Sequence, residues 1–333
     1  MKAAMKVIFA NNIKWIWAVN LIAIIIFVAG CGSADSPPDF LTPDGGQAGE
    51  GPPVNEQLAS EAWQQRLVYH VGPVDLPAGT QPMLDQPVTI RFQTDEPIWV
   101  TGFEPRVVDA DGSELPAELL HQAIISNMHE DNSLCGGGSG GNPIFIVTSM
   151  LTPVELPEAY GYPILSTDPI DAQVVFTNPT DKSYAGVSFE LTLVARPMNE
   201  FTQVSDVKPV LVEPDPCTHE PIKVEPGEFA EKTATYQMPA AGKIVVAQGA
   251  LQNYGAAVEL TAGSETTPFW RAEAELDEAH NLTGLSDNPF SDPKGIQIKQ
   301  GDSLMLGVTY DNTSDKWIDG ATAAAMVYMA PVE

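Results

Sequence analysis

A chain of 333 residues with 16 basic and 44 acidic side chains and a formal net charge of −28 excludes several functions before any motif is considered. Nucleic acid would be repelled over most of such a surface, and docking to anionic lipid by charge is disfavoured for the same reason. The 29 prolines and 27 glycines tell against a helical bundle, in which both residues are destabilising; short runs of Val, Ile, Phe and Thr point to an all-β architecture.

The first elements in chain order are an address and a tether. Lys2, Lys6 and Lys14 make a basic region, residues 15–30 follow almost without charge, and the stretch closes on Val28-Ala29-Gly30-Cys31. Basic region, apolar core and cysteine in that order are the pattern of a bacterial lipoprotein signal peptide, residues 1–30, with Cys31 expected to carry the lipid. The body of the protein is then expected in the bacterial cell envelope, anchored to the membrane through that lipid. Gly32 and Ser33, rather than an aspartate, follow the cysteine, which directs the expectation to the outer membrane of a Gram-negative host. Residues 31–62 are rich in Gly, Pro, Ser and acids and read as a flexible tether, because they cannot bury enough apolar surface to offset ordering entropy.

From Trp63 onward, strand-length runs alternate with turns. Residues 88–92, 99–103, 144–148, 172–176 and 187–193 form one set; residues 230–238, 243–248, 256–260, 269–276, 303–310 and 323–329 form a second. They alternate or are apolar on both faces, as strands of a sandwich are. Asp109-Ala110-Asp111-Gly112 and Asn178-Pro179-Thr180-Asp181 read as turns. The proline-studded segment 196–216 separates the sets. The expected architecture is two tandem antiparallel β-sandwiches of jelly-roll type, residues 63–200 and 201–333. Each set closes with a strand after an Asn-containing turn, at Asn178 and at Asn312, as two sandwiches of related topology would.

Several segments together resemble the two-domain copper-dependent, ascorbate-dependent monooxygenases typified by the peptidylglycine-hydroxylating enzyme. They are Leu119-Leu120-His121-Gln122-Ala123, Glu158-Ala159-Tyr160-Gly161-Tyr162, Gly249-Ala250-Leu251-Gln252-Asn253-Tyr254-Gly255, and the closing stretch from Gly301-Asp302-Ser303 through Asp311-Asn312 and Asp319-Gly320 to Tyr328-Met329-Ala330-Pro331. The resemblance implies one copper on a His-His pair in the first domain and another on a His-X-His pair plus methionine in the second, since Cu(I) favours imidazole and thioether ligands. Here the first pair reads His121-Gln122, the second falls on Ala250 and Gln252, and the methionine position falls on Thr322. Those departures imply a degenerate, non-catalytic member.

Two readings of function stay open. The first is an envelope lipoprotein without a cofactor that binds a small molecule, peptide or protein partner. The second is a copper-dependent enzyme or single-copper protein with a site rebuilt from His121 and His129, joined by Met128, His70, Met326 or Met329. Cys135 and Cys217 are the remaining cysteines; outside the cytoplasm such a pair is expected to form a disulfide, stabilising by about 3 to 5 kcal/mol through loop entropy. The Gly-rich run 136–141 lacks the Lys-Ser/Thr of a phosphate loop, and no Gly-X-Ser-X-Gly elbow or HExxH helix occurs.

Overall fold

The apolar runs separated by turns become strands throughout the computed structural model, whose described residues are 64–132, 134, 140–199, 204–215, 222–277, 281–321 and 323–332. The signal peptide and tether expected over residues 1–62 lie outside them. The first half contributes β1 (Gln65–Leu76), β2 (Val88–Phe92), β3 (Ile98–Val108), β4 (Leu120–Asn127), β5 (Asn142–Thr148), β6 (Val154–Glu155), β7 (Tyr160–Ile164), β8 (Ile170–Phe176), β9 (Tyr184–Pro197) and β10 (Ser205–Asp206). The second contributes β11 (Lys208–Val212), β12 (Ile222–Val224), β13 (Phe229–Gln237), β14 (Gly242–Ala250), β15 (Gly255–Ala262), β16 (Trp270–Leu276), β17 (Leu282–Leu285), β18 (Phe290–Ile298), β19 (Ser303–Asp311), β20 (Ile318–Ala321) and β21 (Ala324–Ala330). Among the described residues no helix is long and apolar enough to cross a membrane.

The two halves repeat one topology. In the first, a sheet β1-β9-β3-β7 faces a sheet β2-β8-β4-β5; in the second, β11-β21-β14-β18 faces β13-β19-β15-β16, and β12 and β20 form a separate two-stranded sheet. Strand for strand these are the same order, eight strands in two antiparallel sheets, the jelly-roll arrangement. The extra strands differ: β6 pairs with β3 and β10 with β7 in the first half, whereas β17 extends the second half beyond β16.

The repetition reaches individual hydrogen bonds. Asn178 and Asn312 are both 0% exposed. The Asn178 amide donates to the carbonyls of Leu76, Pro77 and Lys182 at 3.0, 2.9 and 2.7 Å, and its Oδ1 accepts from Thr180 Oγ1 at 2.7 Å. The Asn312 amide donates to Val224, Glu225 and Lys316 at 3.2, 2.9 and 2.8 Å, and its Oδ1 accepts from Ser314 Oγ at 2.7 Å. Each corner also uses a glycine, Gly79 or Gly227, at φ 71°, a left-handed conformation that favours glycine. Residues 165–182 and 299–316 therefore correspond with a constant offset and share Asp168/Asp302, Val174/Val308, Asn178/Asn312, Asp181/Asp315 and Lys182/Lys316.

Alternation places the cores. On β19 Leu304, Leu306, Val308 and Tyr310 point inward while their neighbours are half-buried. β21 is buried on both faces: Ala325, Val327 and Met329 join the second core, and Ala324, Met326, Tyr328 and Ala330 join the cluster of the first. The outer face of the β11-β21-β14 sheet thus lies on the flank of the first sandwich, where Tyr328 packs near Phe103, ring centroids 6.3 Å apart, and donates its hydroxyl to the Ile144 carbonyl of β5 at 2.9 Å. Both sandwiches belong to one compact unit, Val54–Glu333.

Candidate functional site

Two places gather the histidines singled out in the sequence. The first is the seam between the sandwiches. The pairing of β4 with β8 shifts register between Leu120 and Gln122, so His121 is the bulged residue, a device that re-aims a side chain. Its imidazole meets the second sandwich: the Gln252 amide donates to His121 Nε2 at 2.9 Å. Burial pushes the His121 pKa down to about 4, because removing water disfavours the charged ring. Beside it Thr148 Oγ1 donates to the Leu251 carbonyl at 2.8 Å, and Gln248 Nε2 donates to Thr152 O at 3.0 Å. Ala250 is buried opposite Ala324. Gln122 pairs through its backbone with Thr148 and Val175. Met326 faces the seam, whereas Met329 points into the second core.

The second place is a loop end of the first sandwich. β4 ends at Asn127, and His129 follows with its side chain 65% exposed. Its Nδ1 donates to Asp168 Oδ1 at 3.0 Å, and the Asp168 side chain is only 8% exposed. Asp168 also accepts the Leu165 N–H at 2.9 Å. Asn127 Oδ1 accepts the His129 N–H at 2.9 Å, and Asn127 Nδ2 donates to the Tyr162 hydroxyl at 2.9 Å. Burial first, and then Glu130, drives the Tyr162 pKa upward. Glu130 in turn accepts from Asn142 Nδ2 at 3.0 Å. The imidazole is therefore fixed through Nδ1 and presents Nε2 outward, the form in which a histidine can accept a proton or bind a cation.

The corresponding turn of the second sandwich isolates what is special here. There Asp302 accepts the Lys299 N–H at 2.9 Å and Gly263 N–H donates to Ser303 O at 2.7 Å, matching the Leu165 bond and Met128 N–H to Pro169 O at 2.9 Å. The aspartate is thus a shared device that shapes the turn. Ala262, Ser264 and Ile296 occupy the places of Asn127, His129 and Tyr162, so the same turn forms without the polar trio.

The structure does not bring the histidines together. His121 lies near the start of β4 and His129 two residues beyond its end, about 25 Å of extended chain apart at the usual strand rise. His70 lies on β1, its Nε2 3.0 Å from Glu190 Oε2. Cys31, Cys135, Cys217 and Thr322 lie outside the described residues. Among the described residues no group of three or more His, Cys, Asp or Glu is arranged to hold a metal ion. The donors do not fit the two coppers that the sequence resemblance implied: Ala250 has no donor atom, and His121 is engaged by an amide.

No family model matches the chain, and no curated protein does. Solved structures it is similar to include viral proteins. They include PBCV-1 VP54 fitted into a reconstruction of the virophage Sputnik, 10% identical over 81% of this chain and 94% of that one with a TM-score of 0.29. The major capsid protein P2 of bacteriophage PM2 is 12% identical over 81% and 98% with a TM-score of 0.32, and a chain of Sulfolobus Turreted Icosahedral Virus is 9% identical over 80% and 90% with a TM-score of 0.35. The resemblance to copper monooxygenases is corrected: these three neighbours are viral proteins and not copper monooxygenases, and the ligand positions do not carry the donors it implied. The motifs behind it, such as Tyr160-Gly161-Tyr162 and Asp311-Asn312, are strand and corner residues that build the sandwiches. The sequence reading missed Asp168, Asn127, Tyr162 and Glu130; the repeat of residues 165–182 at 299–316 was the signal that could have found the turn.

Proposed function

We propose that this protein is a lipid-anchored, non-catalytic recognition module of the bacterial envelope that meets a small-molecule, peptide or protein partner at the loop end of its first sandwich. The observation that supports this reading is His129, held by buried Asp168 with Nε2 outward in a turn whose twin forms without it. A side chain whose orientation is already fixed loses little freedom on binding. Cys31 supplies the anchor in this reading, and the acidic body, repelled by anionic headgroups, stands off the membrane on its tether.

The test uses the full lipoprotein in its envelope with a photo-crosslinking residue at Asp131, or at Glu231 on β13 as the control. A discrete adduct at position 131 that disappears with His129→Ala is expected. The same adducts at both positions, or an adduct indifferent to His129, overturns the reading. A single-copper form is the second reading, favoured by the Nδ1–carboxylate contact that commonly orients metal-binding imidazoles. Titration with Cu(II) separates it: stoichiometric binding lost in His129→Ala supports it, and binding unchanged by that substitution removes it.

A further inference from the structure

The two Asn corners lie at one end of the molecule, joined by a short path of bonds. Thr177 N–H, next to Asn178, donates to the Leu119 carbonyl at 3.0 Å. Two residues on, His121 meets Gln252 across the seam, and the Tyr254 carbonyl accepts the N–H of Asp311, next to Asn312, at 2.8 Å. β1 runs from Gln65 to Leu76, whose carbonyl takes the Asn178 amide. The tether expected over residues 31–62 therefore joins the fold at the opposite end, about 35 Å away at the usual strand rise.

The corners share a backbone but differ in what they expose. Asn178 N–H donates to the Thr80 carbonyl at 2.8 Å and Asn312 N–H to the Glu228 carbonyl at 3.0 Å, while the two Asn amides take the carbonyls of Lys182 and Lys316. Gln81 and Ser183 follow those acceptors in the first corner; Phe229 and Trp317 follow them in the second. Ser183 Oγ accepts the Ala78 N–H and the Gln81 amide donates to the Gly79 carbonyl, so both serve their own corner. Phe229 and Trp317 instead stand 61% and 59% exposed, flanking one buried asparagine in a turn whose twin forms without aromatic residues. The first corner adds an apolar element of its own. Between Thr80 and Arg91 it carries residues that have no counterpart between Glu228 and Thr235, whose places the strand register equates. Within them Met83 and Leu84 are 55% and 44% exposed.

The charge around these side chains selects what can cover them. Asp85, Asp181, Glu225, Glu228, Asp311 and Asp315 are exposed at this end and outnumber Lys182, Lys223 and Lys316. Anionic headgroups would be repelled by such a rim, and a second copy of the chain would bring the same sign of charge against it. A partner that is both apolar and cationic fits. A Lys or Arg side chain is attracted to the face of an aromatic ring, carboxylates at its edge form charge-assisted hydrogen bonds to it, and apolar neighbours bury the remaining ring surface. We propose that the corner end is a docking surface for a basic, apolar segment of a partner protein, with Trp317 and Phe229 as its anchors. It is separate from the His129 turn, which lies at the end where β1 begins.

The test titrates the chain from Gly32 onward, which retains every described residue, into labelled synthetic peptides that alternate Lys with Leu, Lys with Ser, or Glu with Leu. Saturable binding of the Lys–Leu peptide is expected. It should weaken about tenfold when Trp317→Ser and Phe229→Gln install the residues of the first corner, and stay unchanged in His129→Ala. Far-ultraviolet dichroism verifies the fold of the double variant; should it fail to fold, Trp317→Ser alone carries the same expectation. Absence of Lys–Leu binding, or binding indifferent to the aromatic substitutions or lost in His129→Ala, overturns the proposal. So does equal binding of the Lys–Ser peptide, which would reduce the attraction to net charge, or of the Glu–Leu peptide, which would reduce it to apolar contact. Two further results would replace the partner segment by another occupant and overturn it as well: binding to phosphatidylcholine vesicles, or concentration-dependent growth in mass on sedimentation, in either case lost in the double variant.

Discussion

Asn178 shows how one side chain can set a chain direction. Its buried amide donates to the carbonyls of Leu76, Pro77 and Lys182, and removing a buried hydrogen-bonding partner costs about 1 to 3 kcal/mol. Asn178→Ala is therefore expected to lower stability by roughly 2 to 4 kcal/mol, and Asn312→Ala by a similar amount, read as a shift of the urea midpoint. His121 gives a different dependence. Its pKa falls from 6.5 unfolded to about 4 in the fold, so the fold binds the proton less well than the unfolded chain. The resulting stability is present in full above pH 6.5 and is lost as pH falls from there towards 4. The loss is about 3 kcal/mol at 1.36 kcal/mol per unit. Denaturant titrations across that window are expected to show the slope, and His121→Gln to flatten it. The sequence made His121 and His129 visible as candidates because histidine is scarce here, with five in the whole chain. It could not join His129 to Asp168, because their contact depends on which loops the jelly roll brings to one end.

Among the elements, runs such as residues 88–92, 144–148 and 303–310 were legible because burial of one or both faces writes itself into side-chain periodicity. β1 and β18 were not. Gly72-Pro73 interrupts β1, and Pro293 with Gly295 interrupts β18, so both read as turns. In the fold the breaks fall at register shifts, between Val71 and Val74 in β1 and opposite Ile244/Val246 for β18. Both strands lie at sheet edges, where a missing N–H leaves no ladder bond unmade. β21 was legible as a strand, but its double burial was not, because a run of Ala, Met, Val and Tyr does not say what covers its second face. Tyr328→Phe tests that second face. It removes the hydroxyl bond to Ile144 while keeping the ring, and a loss of about 1 to 2 kcal/mol is expected, read by thermal or urea unfolding. No loss would mean that the bond adds nothing to the apolar contact.

At the scale of the whole molecule, all-β architecture and duplication were foreshadowed by strand count and by the paired Asn turns, whereas the resemblance to copper enzymes was misleading because it rested on residues that serve the corners and strands. The seam makes a calorimetric prediction. Ala324, Met326, Tyr328 and Ala330 belong to the first sandwich's core cluster while Ala325, Val327 and Met329 belong to the second's. Neither half can melt without uncovering the other, and a single transition with matching calorimetric and van't Hoff enthalpies is expected. Two resolved transitions would show the seam to be weaker than its packing implies.

The bond from Tyr328 to Ile144 spans 184 residues of sequence, and that span has a consequence in time. A chain emerging from its N-terminal side presents the flank of β5 well before β21 exists to cover it. Closing so long a loop is slow, because entropy is lost before the contact rewards it. During that interval an apolar strand edge stands open to other chains. Refolding yield should accordingly fall steeply with protein concentration, and a chain ending before Ala324 should aggregate even though its first sandwich has every strand it needs.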